Sequence, residues 1–304
     1  MKHFHQLKAE LNRVCPGLEI KEQEPMDQYT TFRIGGPVAL MAVPRTTEET
    51  VAVIRTARDM GIEPFLLGRG SNLLCGDGAL EHFVIRTSPG LDQVERVGET
   101  TLRCGAGALM RRVACEAQRC GLTGFEFAHG IPGTMGGGVV MNAGAYGGEL
   151  KNVVTETTAM DAQGNILTFK GEEQGFAYRK STFLKEGLIV LHSLVELQPG
   201  DPQTIQDQID DYLRRRKRTQ PLEWPSAGST FKRPVGAYAA ALIDQCRLKG
   251  CQIGGAQVSE KHAGFVVNKG GASCADVLAL TEHIKQVVLD KTGFQLELEI
   301  RLML

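Results

Sequence analysis

The sequence has no run of 18 apolar residues, no CxxC pair and no Cys/His cluster with zinc-site spacing. The first absence argues against a membrane-spanning helix, and the other two argue against a metal centre. A net charge is also nearly absent, since 34 Lys and Arg face 35 Asp and Glu, a formal charge of −1. We therefore expect no nucleic-acid or membrane partner bound through bulk charge.

A secretory signal pattern is missing as well, because the first 14 residues read as a mixed-charge helix without an apolar core. The eight cysteines form an even number, which leaves disulfides as an alternative. A chain of 304 residues has enough length for a buried core without them. We expect free thiols, a cytoplasmic location and two or three domains.

Glycine is abundant, with 36 residues, and its distribution is uneven. Residues 121–148 contain ten glycines, one carboxylate (Glu126) and neither Lys nor Arg. They show neither helical nor strand periodicity, which predicts irregular backbone packed closely against a flat or bulky group. Their low charge argues against a solvated linker.

Regular elements are predicted on both sides of this segment. Thr46 and Glu49 have capping-box spacing, and Gly61 stands where a helix of residues 46–61 would end. Prolines mark a boundary around 198–226. Periodicity predicts further helices at 108–120, 203–217, 237–247 and 274–291, and strands at 62–67, 153–160, 165–169, 188–197 and 294–304. The inward face predicted for the helix at 108–120 consists of Leu109, Val113, Ala117 and Cys120. In the strand at 294–304 the even positions are apolar, and the opposite face consists of Gln295, Glu297, Glu299, Arg301 and Met303.

Several segments carry groups suited to binding or catalysis, and each has a plain structural alternative. Residues 68–72 offer phosphate donors but also fit a tight turn, since they lack the GxGxxG and GK[ST] patterns. Arg179 can hold a carboxylate, or lie on a surface strand. Ser229 lies in a glycine turn that also fits a capped turn, and Glu299 fits an exposed charge ladder. The basic run 214–218 fits a solvated helix end, and His262 fits a buried hydrogen-bonded histidine.

Taken together, seven ordered segments resemble one family over residues 30–304. The segments are TFRIGGP (31–37), LGRGSNLL (67–74), GIPGTMGGG with NAGAYGGE (130–149), YRKSTF (178–183), QPLEWPSAGSTFKRP (220–234), GGAQVSEKHAGFVVN (254–268) and LELEIR (296–301). They resemble the UDP-N-acetylenolpyruvoylglucosamine reductase family, flavoenzymes that form a peptidoglycan precursor in cell-wall synthesis. The motif order is far more specific than any single motif.

The resemblance implies a mixed α/β and α+β fold with an FAD-binding module of the vanillyl-alcohol-oxidase type. It implies two FAD-binding subdomains at 1–85 and 86–200, and a substrate-binding domain at 201–304. NADPH is the implied co-substrate and a nucleotide sugar the implied substrate. The implied FAD-binding residues are Gly68, Arg69, Gly70, Ser71, Asn72, Leu73, Gly130, Ile131, Gly133, Thr134, Gly136, Gly137, Asn142, Ala143 and Gly144.

By the same resemblance, the catalytic residues are Arg179, Ser229 and Glu299, and the substrate contacts are Tyr178, Lys217 and Lys232. Two alternatives stay open: a flavin oxidase on the same FAD fold, and a nucleotide-binding regulator that has lost catalysis. The three catalytic positions and the paired SAGS and LELE segments argue against both.

The chain departs from the family pattern in a few places. His129 and Gly138 stand where smaller or different residues are expected, and Leu298 stands where many relatives carry proline. No insertion lies between residues 183 and 203. In this respect the chain resembles the shorter branch of the family, which lacks a tyrosine-bearing flap over the substrate.

Overall fold

A computed structural model describes residues 2–304. The helices are α1 (Lys2–Val14), α2 (Thr47–Asp59), α3 (Met110–Arg119), α4 (Met135–Met141), α5 (Thr182–Lys185), α6 (Pro202–Thr219), α7 (Ala239–Gln245) and α8 (Cys274–Thr292). Each predicted helix is confirmed with its ends within about two residues of the prediction, whereas α4 and α5 were not predicted.

The strands are mostly short. They are β1 (Glu19–Pro25), β2 (Pro37–Val43), β3 (Phe65–Leu67), β4 (Leu73–Cys75), β5 (Leu80–Arg86), β6 (Val94–Arg96), β7 (Thr101–Gly105), β8 (Leu122–Thr123), β9 (Gly144–Ala145), β10 (Gly148–Glu149), β11 (Val154–Met160), β12 (Ile166–Lys170), β13 (Ile189–Glu196), β14 (Gln198–Pro199), β15 (Gln252–Ile253), β16 (Ala256–Val258), β17 (Val266–Asn268) and β18 (Arg301–Met303).

Within residues 2–304, three sheets contain more than two strands. Their orders are β1-β2-β5-β3, with β3 and β5 parallel, then β12-β11-β13-β7-β6 and β15-β16-β17, both antiparallel. Strands β4 and β18 form a separate parallel pair. Mixed sheets with surrounding helices agree with the predicted fold class.

The chain forms two compact units, and each is discontinuous in sequence. The first contains residues through Lys21, Leu40–Gly68 and His82–Arg215. The second contains Glu22–Ala39, Arg69–Glu81 and Arg216–Leu304. Each has its own hydrophobic core. The three-part division at 85 and 200 stays a prediction about domains.

Local capping explains where the predicted helices begin. Thr46 accepts a hydrogen bond from the backbone of Glu49 at 3.1 Å, as the spacing predicted. In a complete capping box the Glu49 carboxylate would accept from the backbone N–H of Thr46. Here it accepts from the backbone N–H of Arg45, one residue earlier, at 2.7 Å. In α8, Ser273 and Asp276 form the complete box, and Gly293 ends the helix with φ +75°.

Two predictions about buried faces were wrong in part. Leu109, expected on the buried face of α3, is 41% exposed, and Met110 and Ala114 are buried in its place. The predicted strand at 294–304 reduces to Arg301–Met303. Its alternation fails at the end, where Leu302 is 39% exposed and Met303 is 2% exposed. The pairing of β18 with β4 sets this register, and periodicity alone does not contain it.

No helix within residues 2–304 is both long enough and apolar enough to cross a membrane. All eight cysteines have free thiols. Across the same part of the chain, no group of three or more His, Cys, Asp and Glu side chains has the arrangement of a metal site.

Candidate active site

Gly68, the first residue of the first predicted flavin loop, lies against Thr134 of the second predicted flavin segment. A Cβ atom at Gly68 would lie 2.5 Å from Oγ1 of Thr134, closer than non-bonded atoms approach. Gly70 has φ +58°, and a Cβ there would lie 2.4 Å from the carbonyl oxygen of Tyr29. Both positions therefore require glycine, for a close approach and for a left-handed backbone.

The same loop also supports the segment that carries Glu299. The amide nitrogen Nδ2 of Asn72 donates to the carbonyl oxygen of Glu299 at 3.2 Å. The backbone of Arg301 donates to the carbonyl oxygen of Asn72 at 2.9 Å, next to the pairing of β4 with β18. An amide nitrogen carries two hydrogens, so this bond leaves one for a ligand.

Residues 130–148 contain more regular structure than their periodicity indicated. Helix α4 spans Met135–Met141 although three of its seven residues are glycines. A Cβ at Gly136 would lie 2.7 Å from Cβ of Ala106, and one at Gly138 would lie 2.9 Å from Cδ1 of Leu150. The glycines thus permit close packing, and this packing, rather than helix propensity, explains α4.

The charge and hydrogen-bonding state of this region fit FAD. The Glu126 carboxylate is buried and accepts from Thr123 Oγ1 at 2.6 Å and the backbone of Gly124 at 2.8 Å. Both oxygens are therefore paired within the protein, and the carboxylate presents no unpaired negative charge to a bound flavin. Nδ1 of His129 is buried without a hydrogen-bond partner in the protein, so a bound group can satisfy it. Burial lowers the pKa of His129, and the guanidinium of Arg111 lowers that pKa further.

Arg179 lies at the centre of a tight turn. The backbones of Ala177 and Lys180 exchange two hydrogen bonds, at 3.0 and 3.1 Å, which places Tyr178 and Arg179 at the two central positions. Arg179 has φ +53°, a left-handed backbone angle that residues other than Gly, Asn and Asp rarely adopt. Its guanidinium carbon lies 5.1 Å from the ring centre of Tyr178. A disfavoured backbone of this kind is typical of functional positions.

The residues that directly follow the Arg179 turn attach it to the first unit. The hydroxyl of Ser181 donates to the carbonyl oxygen of Val140 at 2.7 Å and caps α5 by accepting from the backbone of Leu184. The next aromatic residue, Phe183, is 1% exposed and packs edge-to-face on Phe169 at 5.3 Å. The Arg179 turn is therefore attached to a rigid part of the first unit.

Ser229 and Glu299 belong to neighbouring segments of the second unit. The backbone of Glu299 donates to the carbonyl oxygen of Thr230 at 2.9 Å, and the backbone of Lys232 donates to the carbonyl oxygen of Glu297 at 2.9 Å. An antiparallel bridge joins Phe231 to Leu298 between these bonds. The exposed Ser229 follows Gly228, whose φ of +77° makes the turn.

Thr230 is a structural residue that sequence reasoning missed. It is 1% exposed, its Oγ1 accepts from the backbone of Val266 at 3.0 Å, and its backbone donates to Gly264 at 2.8 Å. Thr230 thus ties the Ser229 turn to the SEKHAGF segment. Nothing in the sequence pattern separates this threonine from an ordinary turn residue.

Of the predicted substrate contacts, Tyr178 and Lys217 are exposed and Lys232 is half-buried, and each has a contact within the protein. Nζ of Lys232 forms an ion pair with Glu297 at 2.9 Å. Tyr178 is 47% exposed beside Arg179. Lys217 lies in the last turn of α6, and its carbonyl oxygen accepts from Nζ of Lys261 at 2.8 Å. An exposed pair such as Lys232–Glu297 contributes at most about 1 kcal/mol, so a polyanionic ligand can compete for the lysine.

His262, by contrast, fits its structural alternative. Its Nδ1 accepts from the backbone of Gly264 at 3.2 Å, and its ring packs edge-to-face on Phe265 at 4.9 Å. Burial lowers the pKa of His262, which favours the neutral ring. It is a half-buried, hydrogen-bonded histidine.

Comparison with known proteins assigns both parts of the chain. The FAD binding domain model matches residues 38–170, and the UDP-N-acetylenolpyruvoylglucosamine reductase C-terminal domain model matches residues 220–303. These matches, together with the cradle of glycines and donors described above, identify FAD as the cofactor. The FAD-binding module predicted from the sequence is thereby confirmed.

Full-length relatives give the same assignment. UDP-N-acetylenolpyruvoylglucosamine reductase of Clostridium novyi is 43% identical over 97% of this chain and 96% of its own length. The enzyme of that name from Clostridioides difficile is 44% identical over 94% of this chain and 93% of its own length. The crystal structure of UDP-N-acetylenolpyruvylglucosamine reductase (MurB) from Thermus caldophilus superposes with a TM-score of 0.80 at 34% identity, covering 94% of this chain and 99% of that one. Because identity above 30% extends over nearly the whole chain, the protein belongs to the UDP-N-acetylenolpyruvoylglucosamine reductase family.

Proposed function

We propose that this protein uses FAD and NADPH to reduce the enolpyruvyl group of UDP-N-acetylenolpyruvoylglucosamine, forming UDP-N-acetylmuramate for peptidoglycan synthesis. The reaction adds a hydride and a proton across a carbon–carbon double bond next to a carboxylate. FAD supplies the hydride chemistry that amino-acid side chains lack. The protein must bind the carboxylate, stabilise the developing charge and supply the proton.

The observation that carries the proposal is the hydrogen bond between the backbones of Glu299 and Thr230. It joins the SAGS turn and the LELEIR segment, which are almost 70 residues apart in sequence and supply two of the proposed catalytic groups. A module that only bound nucleotides would not need a serine turn paired with this glutamate segment.

Each proposed catalytic group has a distinct role. The Arg179 guanidinium binds the substrate carboxylate through two parallel hydrogen bonds and stabilises its negative charge as the double bond is reduced. Glu299 donates a hydrogen bond to the same oxygens, directly when protonated or through water. Ser229 gives its hydroxyl proton to the α-carbon, and a weak acid suffices because the enolate is a strong base.

Binding of the nucleotide ligands is assigned to the loops and the local cations. Residues 68–73 hold the pyrophosphate of FAD through backbone N–H groups, Ser71 and the remaining hydrogen of the Asn72 amide. Residues 130–144 lie along the flavin. Tyr178, Lys217 and Lys232 contact the substrate or NADPH. The cations Lys217 and Lys232 supply local positive charge in a protein whose formal net charge is −1.

Absorbance spectroscopy of the purified protein under anaerobic conditions tests the proposal. The protein should be yellow, lose its flavin absorbance on addition of NADPH, and regain it on addition of UDP-N-acetylenolpyruvoylglucosamine while UDP-N-acetylmuramate forms. A colourless folded protein that cannot be reconstituted with FAD would overturn the proposal. Recovery of absorbance with oxygen but not with the enolpyruvyl substrate would favour a flavin oxidase.

A further inference from the structure

Asn142 ends helix α4 in a conformation that few side chains tolerate. Its φ is +43°, and its backbone N–H closes the helix on Gly138 and Val139. Asparagine and glycine are the residues that most readily adopt this left-handed geometry at a helix end. The backbone therefore restricts the residue type but leaves open what the side chain does.

The Asn142 side chain is committed to the interior of the first unit. It is 0% exposed. Its Nδ2 donates to Oε2 of Glu149 at 2.9 Å and to the carbonyl oxygen of Ala177 at 3.2 Å, and its Oδ1 accepts from the backbone of Lys151 at 3.0 Å. Reversing the amide would place its oxygen against two acceptors, so the chemistry of the partners determines the orientation.

The bond to Ala177 reaches the turn that carries Arg179. The carbonyl oxygen of Ala177 closes this turn by accepting from the backbone of Lys180 at 3.1 Å, and Asn142 donates to the same oxygen. Arg179, two residues further along, holds a left-handed backbone that its own preference opposes. The surrounding hydrogen bonds must hold this conformation, and Asn142 supplies one from a buried, fully paired amide.

We infer that Asn142 is a positioning residue for Arg179, a role that rests on the function proposed above. Its amide clamps the first residue of the turn to the end of α4, so that the guanidinium presents a fixed fork to the substrate carboxylate. The Glu149 carboxylate, itself paired with Nζ of Lys151 at 2.5 Å, holds the amide in orientation. Asn142 then acts on the substrate through Arg179, although it belongs to the segment that lies along the flavin.

The test replaces Asn142 by glycine, which keeps the left-handed backbone and removes all three side-chain hydrogen bonds. Because the three hydrogen bonds of the Asn142 side chain all go to protein groups, residue 142 can contribute to FAD binding through its backbone. Asn142→Gly should therefore retain FAD and show bleaching by NADPH within about three-fold of the wild-type rate. Reoxidation by the enolpyruvyl substrate should slow about 10- to 100-fold, because a misplacement of about 1 Å costs about that much. Asn165→Gly, at an exposed asparagine bonded to Asp161, is the matched control and should leave both steps unchanged.

A double-mutant cycle separates positioning from a general structural role. On an Arg179→Lys background, Asn142→Gly should slow reoxidation by less than about a further three-fold, because Asn142 acts on the substrate through Arg179, which is already impaired. An equal loss in the two backgrounds, or an equal loss in both half-reactions, would overturn the inference. Should Asn142→Gly fail to fold, Asn142→Asp combined with Glu149→Gln keeps the acceptor for Lys151, avoids two facing carboxylates and removes the donor to Ala177. Failure of both variants to hold FAD would also overturn it.

The outcomes distinguish this inference from the proposed function. If the wild-type flavin is not reoxidised by the enolpyruvyl substrate, the proposed function fails. If the wild type turns over and Arg179→Lys is slow while Asn142→Gly is normal, only the positioning role fails.

Discussion

The backbone N–H of Glu299 donates to the carbonyl oxygen of Thr230 at 2.9 Å, and this one bond joins two of the sequence motifs. Ser229 precedes Thr230 in the chain, so the bond fixes the backbone beside the proposed proton donor. Asn72 donates to the carbonyl oxygen of the same Glu299 at 3.2 Å. A residue of the flavin loop and a residue of the serine turn therefore hold the same glutamate.

Ser229→Ala should slow only the half-reaction that needs a proton. Alanine removes a single oxygen from an exposed turn, so folding and FAD content should be unchanged. Anaerobic stopped-flow should show near-normal bleaching by NADPH, and reoxidation by the enolpyruvyl substrate should slow about 10²- to 10⁴-fold, as expected for a lost general acid.

Ser226→Ala in the same turn is the control for Ser229. The backbone of Ser226 forms hydrogen bonds with Thr31, and alanine preserves them. Ser226→Ala should therefore carry out both half-reactions at rates within a few-fold of the wild type. Normal reoxidation in Ser229→Ala would return this serine to the role of a turn residue.

Asn72→Leu should have two separable effects, since Asn72 serves both the flavin loop and Glu299. Losing a hydrogen bond to a charged phosphate costs about 1.5–3 kcal/mol, which weakens FAD binding about 10- to 150-fold. Reoxidation by the substrate should remain slow even when excess FAD restores full occupancy, because the Glu299 segment has lost a tether. Ser71→Ala should weaken FAD binding without this second effect. Full FAD occupancy in purified Asn72→Leu would contradict the assignment.

Replacing Arg179 by glycine should lower activity but raise stability, whereas replacing it by lysine tests activity alone. Arg179→Lys keeps the charge but loses the planar fork, and reoxidation by the substrate should slow about 10²- to 10³-fold. Arg179→Gly should abolish reoxidation yet raise the free energy of unfolding by up to about 1 kcal/mol, because glycine adopts the left-handed backbone without strain. Urea denaturation with both kinetic steps measures this, and a destabilised Arg179→Gly would show that no strain is held at φ +53°.

Stability should fall as the pH rises above about 9. Burial raises the pKa of Cys104 and of Cys75 to about 12, from 9.0 for an ordinary thiol. Between these values the unfolded chain releases a proton from each thiol while the folded chain retains it, so alkali favours unfolding. Urea denaturation at pH 8 and pH 10 should show a smaller loss of stability in Cys104→Ala than in the wild type. The exposed Cys115→Ala should match the wild type. An equal loss in all three proteins would contradict the proposed linkage.

Local patterns predicted the elements whose stability is local. Helix α2 begins after Thr46 as its cap predicted, and α8 follows the apolar spacing of Val277, Leu280 and Ile284, all fully buried. The family, the cofactor and the reaction were also accessible, because seven ordered motifs in the sequence carry them and the comparisons confirm them. The individual roles of Arg179, Ser229 and Glu299 stay predictions.

Helix α4 shows what local patterns do not contain. Three glycines among seven residues oppose a helix on propensity alone, by roughly 0.8–1.0 kcal/mol each relative to alanine. The helix forms because Gly136 lets it pack against Ala106 and Gly138 lets it pack against Leu150. Ala106 is distant in sequence, and Leu150 follows the turn after the helix. Tertiary packing therefore overrides propensity in this segment.

The sequence by itself determined which chemical groups the protein carries and which family it resembles, because side-chain identity and motif order are linear information. Only the tertiary structure decided how those groups are held. The left-handed backbone of Arg179, the amide of Asn142 donating to Ala177 and the bond from Glu299 to Thr230 depend on residues 35 to 69 positions apart meeting in space. A hydrogen bond between distant segments forms only after loop closure and core packing have been achieved, and no periodicity of the chain records it.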